Sequence, residues 1–229
     1  MAEVQLLSTW ASPFVMRAEV ALALKGVQYE KVPQDLGNKS ELLLKSNPVY
    51  KKVPVLLHNG KPVCESSIIA QYVDEAWPAP KDGVDLLPSD PYGKAMARFW
   101  ADYVDKKVFD GMFGLLRSAR KSEEEKKAAL ENVLSAMQTL ESALPEIGGA
   151  GPFFGGGSMG LVDVMLVPLL AWLPAIEEVV GLQIPFAERF PRLEAWFAAC
   201  RGHDVASLLP SSTKMSEFIT QFILPRFSS

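Results

Sequence analysis

The stretch KKVPVLLHNGKPVCESS, residues 51–67, decides the fold. It reads as strand, tight turn, strand and helix start. Val53 to Leu57 is an apolar run, and Asn59-Gly60 is the residue pair that best accepts the positive backbone angles of a two-residue hairpin turn. Pro62-Val63-Cys64 returns as a second short strand. Glu65-Ser66-Ser67 opens a helical run from Ile68 to Ala76, with Ser66 placed to cap it. One residue breaks the pattern. Pro54 falls inside the first strand, where it cannot donate to a ladder, so an edge, a bulge or a cis bond is expected there. Next to it, the helix start at Glu65-Ser66 offers free backbone N–H groups suited to an anion.

Toward the N-terminus, Glu3 to Ser8 reads as a strand and Thr9 to Ser12 as a loop. Pro13 suits the first position of a helix capped by Ser12. That helix runs from Pro13 to Lys25, with Phe14, Ala18, Ala21 and Leu22 on one side, and Gly26 ends it. Val27 to Val32 looks like a second strand. A strand-helix-strand start favours parallel pairing with a right-handed crossover. Lys39 to Ser46 is a short polar segment, expected as one irregular helix. Residues 1–77 therefore read βαβαββα, a small four-stranded α/β unit.

Toward the C-terminus, residues 78–91 carry Pro78, Pro80, Pro88, Pro91, Gly83 and several Asp, and read as a linker. Residues 92–229 read as all helical. Tyr92 to Leu116 is expected as one helix, with Met96, Phe99, Trp100, Tyr103 and Val104 at helical spacing. Ser122 followed by three glutamates opens the next, which continues to Leu144. The glycine-rich stretch 148–157 follows no strand, which argues against a phosphate loop. Gly160 caps the most apolar helix, expected over Leu161 to Ile176, with Asp163 at its third position and Met159 and Val164 spaced as a hydrophobic staple. That run is too short and too interrupted to span a membrane. Further helices follow Pro191 and run from Thr213 to Leu224.

The 229 residues are 48% hydrophobic and 22% charged, with a net charge of −4 and no long basic run, which argues against nucleic acid as the main partner. Two cysteines and two histidines at wide spacing make neither a disulfide framework nor a zinc or iron site. Met1-Ala2-Glu3 lacks the features of a signal peptide, so a cytosolic location is expected.

Several segments together resemble one family. Ser12-Pro13-Phe14 with Arg17, Asn38-Lys39-Ser40, Asn47-Pro48-Val49, Lys51 to Leu56, Cys64-Glu65-Ser66, Arg98 to Tyr103 and Gly160 to Asp163 form an ordered set. The set resembles the cytosolic glutathione transferases, specifically the plant tau class. The resemblance implies a thioredoxin-like N-terminal domain, an all-α C-terminal domain, a cis peptide between Val53 and Pro54, and a homodimer. It also implies transfer of the glutathione thiol to hydrophobic electrophiles in detoxification, with glutathione as co-substrate and no metal.

The resemblance carries residues over one by one. Ser12 would donate a hydrogen bond to the glutathione thiolate; read alone, it is a helix cap. A free thiol is only about 3% ionised at pH 7, and a hydrogen bond to the charged form lowers its pKa by about one to two units. Arg17 would add positive field, or serve as a structural ion-pair residue. Glu65 would hold the γ-glutamyl ammonium, and Ser66 with its helix start the carboxylate. Lys39 and Lys52 would reach the glycyl carboxylate; read alone, they are solvated. Val53, oriented by Pro54, would pair its main chain with the cysteinyl unit. Phe14, Phe109, Phe113, Leu116, Trp172, Phe218 and Phe222 would line the electrophile site, which favours flat, apolar substrates; each read alone is core. Cys64 reads as a buried structural cysteine. Asp74-Glu75 and Arg98 are candidates for ion pairs across a dimer. Two other functions stay open, a non-catalytic carrier of apolar ligands and a peroxidase acting on organic hydroperoxides. A thiol reductase is disfavoured, because Ser12 cannot form a mixed disulfide.

Overall fold

Strands β1 (Val4–Ser8), β2 (Glu30–Pro33), β3 (Val55–His58) and β4 (Lys61–Cys64) form one sheet in the order β2-β1-β3-β4. The computed structural model describes residues 3–79 and 85–227. β1 pairs parallel with β2 and antiparallel with β3, and β3 pairs antiparallel with β4. The β3–β4 turn is the expected hairpin, with His58 opposite Lys61 and positive φ at both Asn59 and Gly60. Leu6 and Leu7 point to opposite faces of β1 and both are fully buried, so both faces of the sheet are covered. Helices α1 (Pro13–Leu24) and α3 (Ser66–Ala76) pack together, and α2 (Glu41–Ser46) contributes the buried Leu43.

Several local expectations need correction. β2 begins at Glu30 rather than Val27. α2 is a regular turn of helix because the Ser40 hydroxyl accepts from Leu43 N–H. Pro54 is not within a strand. The Val53–Pro54 peptide is cis and β3 starts after it. Pro62 is the strand proline, and β4 is the sheet edge, where a missing donor is tolerated.

The linker expected over residues 78–91 is anchored at its return. Lys25 Nζ donates to Asp74 Oδ1 at 2.9 Å and Asp85 Oδ1 at 2.8 Å, and Asp74 accepts from Leu86 and Leu87 N–H. Pro80 and Gly83 lie outside the described residues. Asp74 is thus engaged within its own chain and is not free to pair across a dimer. Arg98 likewise bonds Gln71 and lies 3.9 Å from Glu75 of the same chain.

The helical half contains α4 (Pro91–Tyr103), α5 (Asp110–Arg117), α6 (Glu123–Gly148), α7 (Leu161–Leu166), α8 (Leu169–Val180), α9 (Phe186–Arg189), α10 (Pro191–Arg201) and α11 (Ser212–Phe218). The helix expected over Tyr92–Leu116 is instead α4, a π-helical turn over Val104–Phe109, and α5. The expected Leu161–Ile176 helix breaks between α7 and α8 at Val167-Pro168, whereas Pro174 is absorbed inside α8. After α11 the chain continues as a π turn, Ile219–Ile223, and a 3-10 turn. α6 has the expected capping box between Ser122 and Glu125 and reaches past Leu144.

Asp163 organises the centre of this half. It is fully buried and accepts from Phe154, Gly155 and Gly160 N–H and from the Trp196 indole, all at 2.7–2.9 Å. Burial pushes its carboxyl above the ordinary value, against the pull of those four donors. The staple residues Met159 and Val164 are both buried. The tight loop before α7 admits no side chain at Gly151, where a Cβ would collide with the Gly156 backbone. Glu141 of α6 caps α10 in the same manner, accepting from Arg192 and Leu193 N–H. Among the described residues, no helix is long and apolar enough to cross a membrane.

Candidate active site

Ser12 ends the loop after β1 and caps α1. Its hydroxyl oxygen accepts from Val15 N–H at 3.3 Å, and its own N–H donates to Thr9 O. The cap occupies one lone pair and leaves the hydroxyl proton to donate. Among the described residues no acceptor takes that proton. Ser12 is half-buried, and the first turn of α1 carries no acid to offset the positive end of the helix. The two readings of Ser12, cap and donor, are therefore compatible.

Arg17 lies one turn on and is fully buried. Its Nε donates to Met165 O at 3.0 Å, Nη1 donates to Ser66 Oγ at 3.4 Å, and Nη1 lies 2.6 Å from Asp105 Oδ1. Its guanidinium also stacks on two rings, 5.1 Å from the Phe14 centroid and 4.4 Å from that of Phe109. Burial depresses the Arg17 pKa and Asp105 works against that, so the group stays cationic. One side chain thus joins α1, the start of α3, α7 and the π turn. Sequence reasoning missed Asp105, whose place on an amphipathic helix gave no sign of its partner.

The start of α3 falls one residue earlier than expected, so that Ser66 is not its cap. Glu65 is the N-cap residue of α3, exposed and held at φ 69°, and Ser66 is the first helical residue, buried. A positive φ at a glutamate is costly backbone, of a kind that concentrates at functional sites. The turn aims the Glu65 side chain outward and keeps the first N–H groups of α3 open. Asn47 was a motif residue without a role in the sequence reading. It is buried, donates to Lys52 O, and accepts from Tyr50 N–H, so it shapes the loop that leads into Val53. Val53 and Pro54 are buried, whereas Lys39 and Lys52 are exposed and, among the described residues, have no ion-pair partner.

The aromatic residues form two groups. Phe14 meets Phe109 at 6.1 Å, Phe109 meets Phe113 at 6.1 Å, and Phe113 meets Trp172 at 5.6 Å. Phe218 and Phe222 pair at 5.5 Å. Phe109, Leu116 and Trp172 are buried, so they back the site; Phe14, Phe113 and Phe218 are half-buried and Phe222 is exposed. Two further residues were not foreseen. Trp10 stacks edge-on against Phe218 at 5.1 Å, and Lys214 sits over the Trp10 ring. They tie α11 to the loop that carries Ser12. Cys64 is half-buried with its thiol pKa pushed up by burial and by Glu65, consistent with an inert thiol.

The comparisons agree across the chain. The family model described as "Glutathione S-transferase, N-terminal domain" matches residues 2–75, and "Glutathione S-transferase, C-terminal domain" matches residues 123–199. A probable glutathione S-transferase, GSTU6, from Oryza sativa subsp. japonica is 46% identical, over 94% of this chain and 92% of that one. The crystal structure of a tau class glutathione S-transferase from mango, Mangifera indica, superposes with a TM-score of 0.88 at 41% identity, covering 95% of this chain and 97% of that one. Rice GST1, solved in complex with glutathione, gives 0.84 at 44% identity, covering 96% and 97%.

Proposed function

Since the chain belongs to the glutathione S-transferase family and its tau class, we propose that it conjugates the glutathione thiolate to flat, hydrophobic electrophiles. The carrying observation is Ser12. Its hydroxyl oxygen accepts from Val15 N–H and, among the described residues, its proton has no acceptor, which leaves it able to donate at the N-terminus of α1. A thiolate held there gains a hydrogen bond and the helix dipole, and both lower its pKa. In the reaction the thiol gives its proton to solvent, the sulfur forms a bond to the electrophilic carbon, and the leaving group departs with its bonding pair. No covalent enzyme intermediate is required.

The remaining roles follow from charge. Glutathione carries two carboxylates and one ammonium. Ser66 and the open N–H groups of α3 suit the γ-glutamyl carboxylate, Glu65 suits the ammonium, and Lys39 and Lys52 suit the glycyl carboxylate. The Val53 main chain suits the cysteinyl unit. Arg17 supplies positive field from behind Phe14 and Phe109 and holds Ser66 in place. The half-buried faces of Phe14, Phe113 and Phe218, with Phe222, would contact the electrophile. Residues 1–77 form the glutathione-binding domain and 92–229 the domain of the electrophile site, joined by 78–91.

The protein is further proposed to work in the cytosol, in detoxification, as a homodimer. Val49, Tyr50, Ile68 and Phe99 are large apolar residues left more than half exposed, which supports a covered face. The test is turnover of aryl halides with glutathione at pH 6.5, compared with Ser12→Ala. Loss of most turnover in the variant supports the reading, and near-normal turnover refutes the role of Ser12. Saturable binding of apolar ligands without conjugation would assign a carrier instead.

A further inference from the structure

A cavity of about 520 Å³ opens where the end of α5, the first turns of α6 and the 3-10 turn over Leu224–Phe227 meet. It shares no residue with the thiol site or with the aromatic groups described above. Three cations line it, Arg117 from α5, Lys121 from the turn before α6 and Arg226 from the C-terminal turn, against one carboxylate, Glu125. That positive surplus stands on a chain whose net charge is −4.

Glu125 does not neutralise the arginines. One of its oxygens accepts from Ser122 N–H and from Ser122 Oγ, both at 3.1 Å, and the other lies 3.3 Å from Lys121 Nζ. Its charge is therefore taken by the cap of α6 and by Lys121. Arg117 and Arg226 are exposed, and among the described residues neither has an ion-pair partner. Two guanidinium groups in one concave lining repel each other, and an anion shared between them reverses the sign of that interaction. Each presents its N–H donors in a planar fork, which matches two oxygens of a phosphate at once. Asn132, in the same lining, has an amide that can donate as well.

The two arginines also stand behind the electrophile site. Arg117 follows Leu116 and lies one turn from Phe113, while Arg226 lies four residues beyond Phe222. The C-terminal turn that carries Arg226 packs on α5. An anion held between the arginines would join the two segments that bear these rings.

We propose that this cavity is an effector site for a phosphate-bearing small molecule, which bridges Arg117 and Arg226 and braces the segment of Phe218 and Phe222 against α5. Its effect on turnover rests on the reading of those rings as the electrophile site; binding of the anion does not.

The experiment is calorimetric titration of the whole protein with sodium pyrophosphate, in a phosphate-free buffer of low ionic strength, with saturating S-hexylglutathione to keep Lys39 and Lys52 occupied. Pyrophosphate is expected to bind once per chain. Arg117→Gln and Arg226→Gln should each weaken it about fivefold or more, whereas Lys61→Gln, which removes the same charge from the exposed edge of the sheet, should stay within about twofold of the wild type. Arg226→Glu should abolish binding, because the new carboxylate takes Arg117 for itself. At saturating glutathione, pyrophosphate should lower the KM for an aryl halide about fivefold, the lower end of coupling between sites. Arg226→Glu should show that lower KM without the anion. Absence of binding, or an equal loss in the arginine and Lys61 variants, overturns the site; a wild-type KM with pyrophosphate bound overturns the brace. Failure to turn over any aryl halide would sink the conjugation reading and leave the site standing, since calorimetry reads it alone.

Discussion

Arg17 Nη1 and Asp105 Oδ1 stand 2.6 Å apart, which places a fully buried guanidinium of the first helix against the π-helical turn of the helical half. The contact is an ion pair rather than an aligned hydrogen bond, and among the described residues Nη2 has no acceptor. Compensation of the buried charge therefore depends on Asp105, on Met165 O, on Ser66 Oγ and on the rings of Phe14 and Phe109. Asp105→Asn should cost about 1–3 kcal/mol, less than breaking a fully buried pair because Asp105 is partly exposed. For a chain of this size that is a fall of roughly 2–12 °C in Tm. A thermal melt that leaves Tm unchanged would remove Asp105 from the account.

Ser12 has two duties that substitution can separate. Glycine is an accepted N-cap and costs only a few tenths of a kcal/mol there, whereas it has no hydroxyl to give a thiolate. Ser12→Gly should melt within about 2 °C of the wild type yet lose roughly 10- to 150-fold in kcat/KM, the rate equivalent of a charged hydrogen bond. Its kcat/KM should also rise with pH over a range shifted about one to two units upward, since the thiol of bound glutathione would ionise later. A variant with the wild-type pH profile contradicts the hydrogen bond.

Lys25 predicts an alkaline weakness. Burial disfavours its charged form, but hydrogen bonds and attraction from Asp85 and Asp74 outweigh this, and its pKa is raised in the fold. A raised folded pKa means that the contribution is complete below the unfolded value, near 10.5, and is lost as pH climbs through the folded one. Denaturant midpoints measured from pH 8 to pH 11 should fall at the top of that range. Lys25→Met should start lower and fall less. Parallel curves for the two proteins would refute the linkage.

Asp163→Asn exchanges one acceptor oxygen for a donor. Phe154 N–H and the Trp196 indole reach one carboxylate oxygen, while Gly155 and Gly160 N–H reach the other. Whichever way the amide turns, two buried donors face an NH₂ group. The expected cost is about 3–5 kcal/mol, read as a large fall in urea midpoint. A near-wild-type midpoint would mean that the loop before α7 repacks without the carboxylate.

What the sequence revealed was local in origin. The Asn59-Gly60 hairpin, the Ser12 and Ser122 caps and the Gly160-to-Asp163 start each lie within a few residues, where spacing alone carries the physics. The linker was legible as composition, and Pro54 as an anomaly. The missed features join distant positions. Arg17 and Asp74 stood out in sequence as charges to be paired, but their partners Asp105 and Lys25 read as ordinary charges on amphipathic helices. Pro168 and Pro174 lie in the same apolar run, yet only the first breaks the helix, a choice made by packing. The positive φ of Glu65 follows from the turn out of β4, which no residue preference signals, because glutamate is not a residue that seeks that conformation.

The short return of the linker bears on where this chain can be cut. Asp74 takes the N–H groups of Leu86 and Leu87, and Leu86 O takes the N–H of Leu161, the first residue of α7. A fragment that starts at residue 92 leaves that N–H without its acceptor, and a fragment that stops at residue 77 strands the carboxylate of Asp74. Residues 85–87 are common property of both halves. Chimeras that exchange helical halves between relatives should therefore be joined ahead of Asp85, with the donor of the helical half supplying this tripeptide.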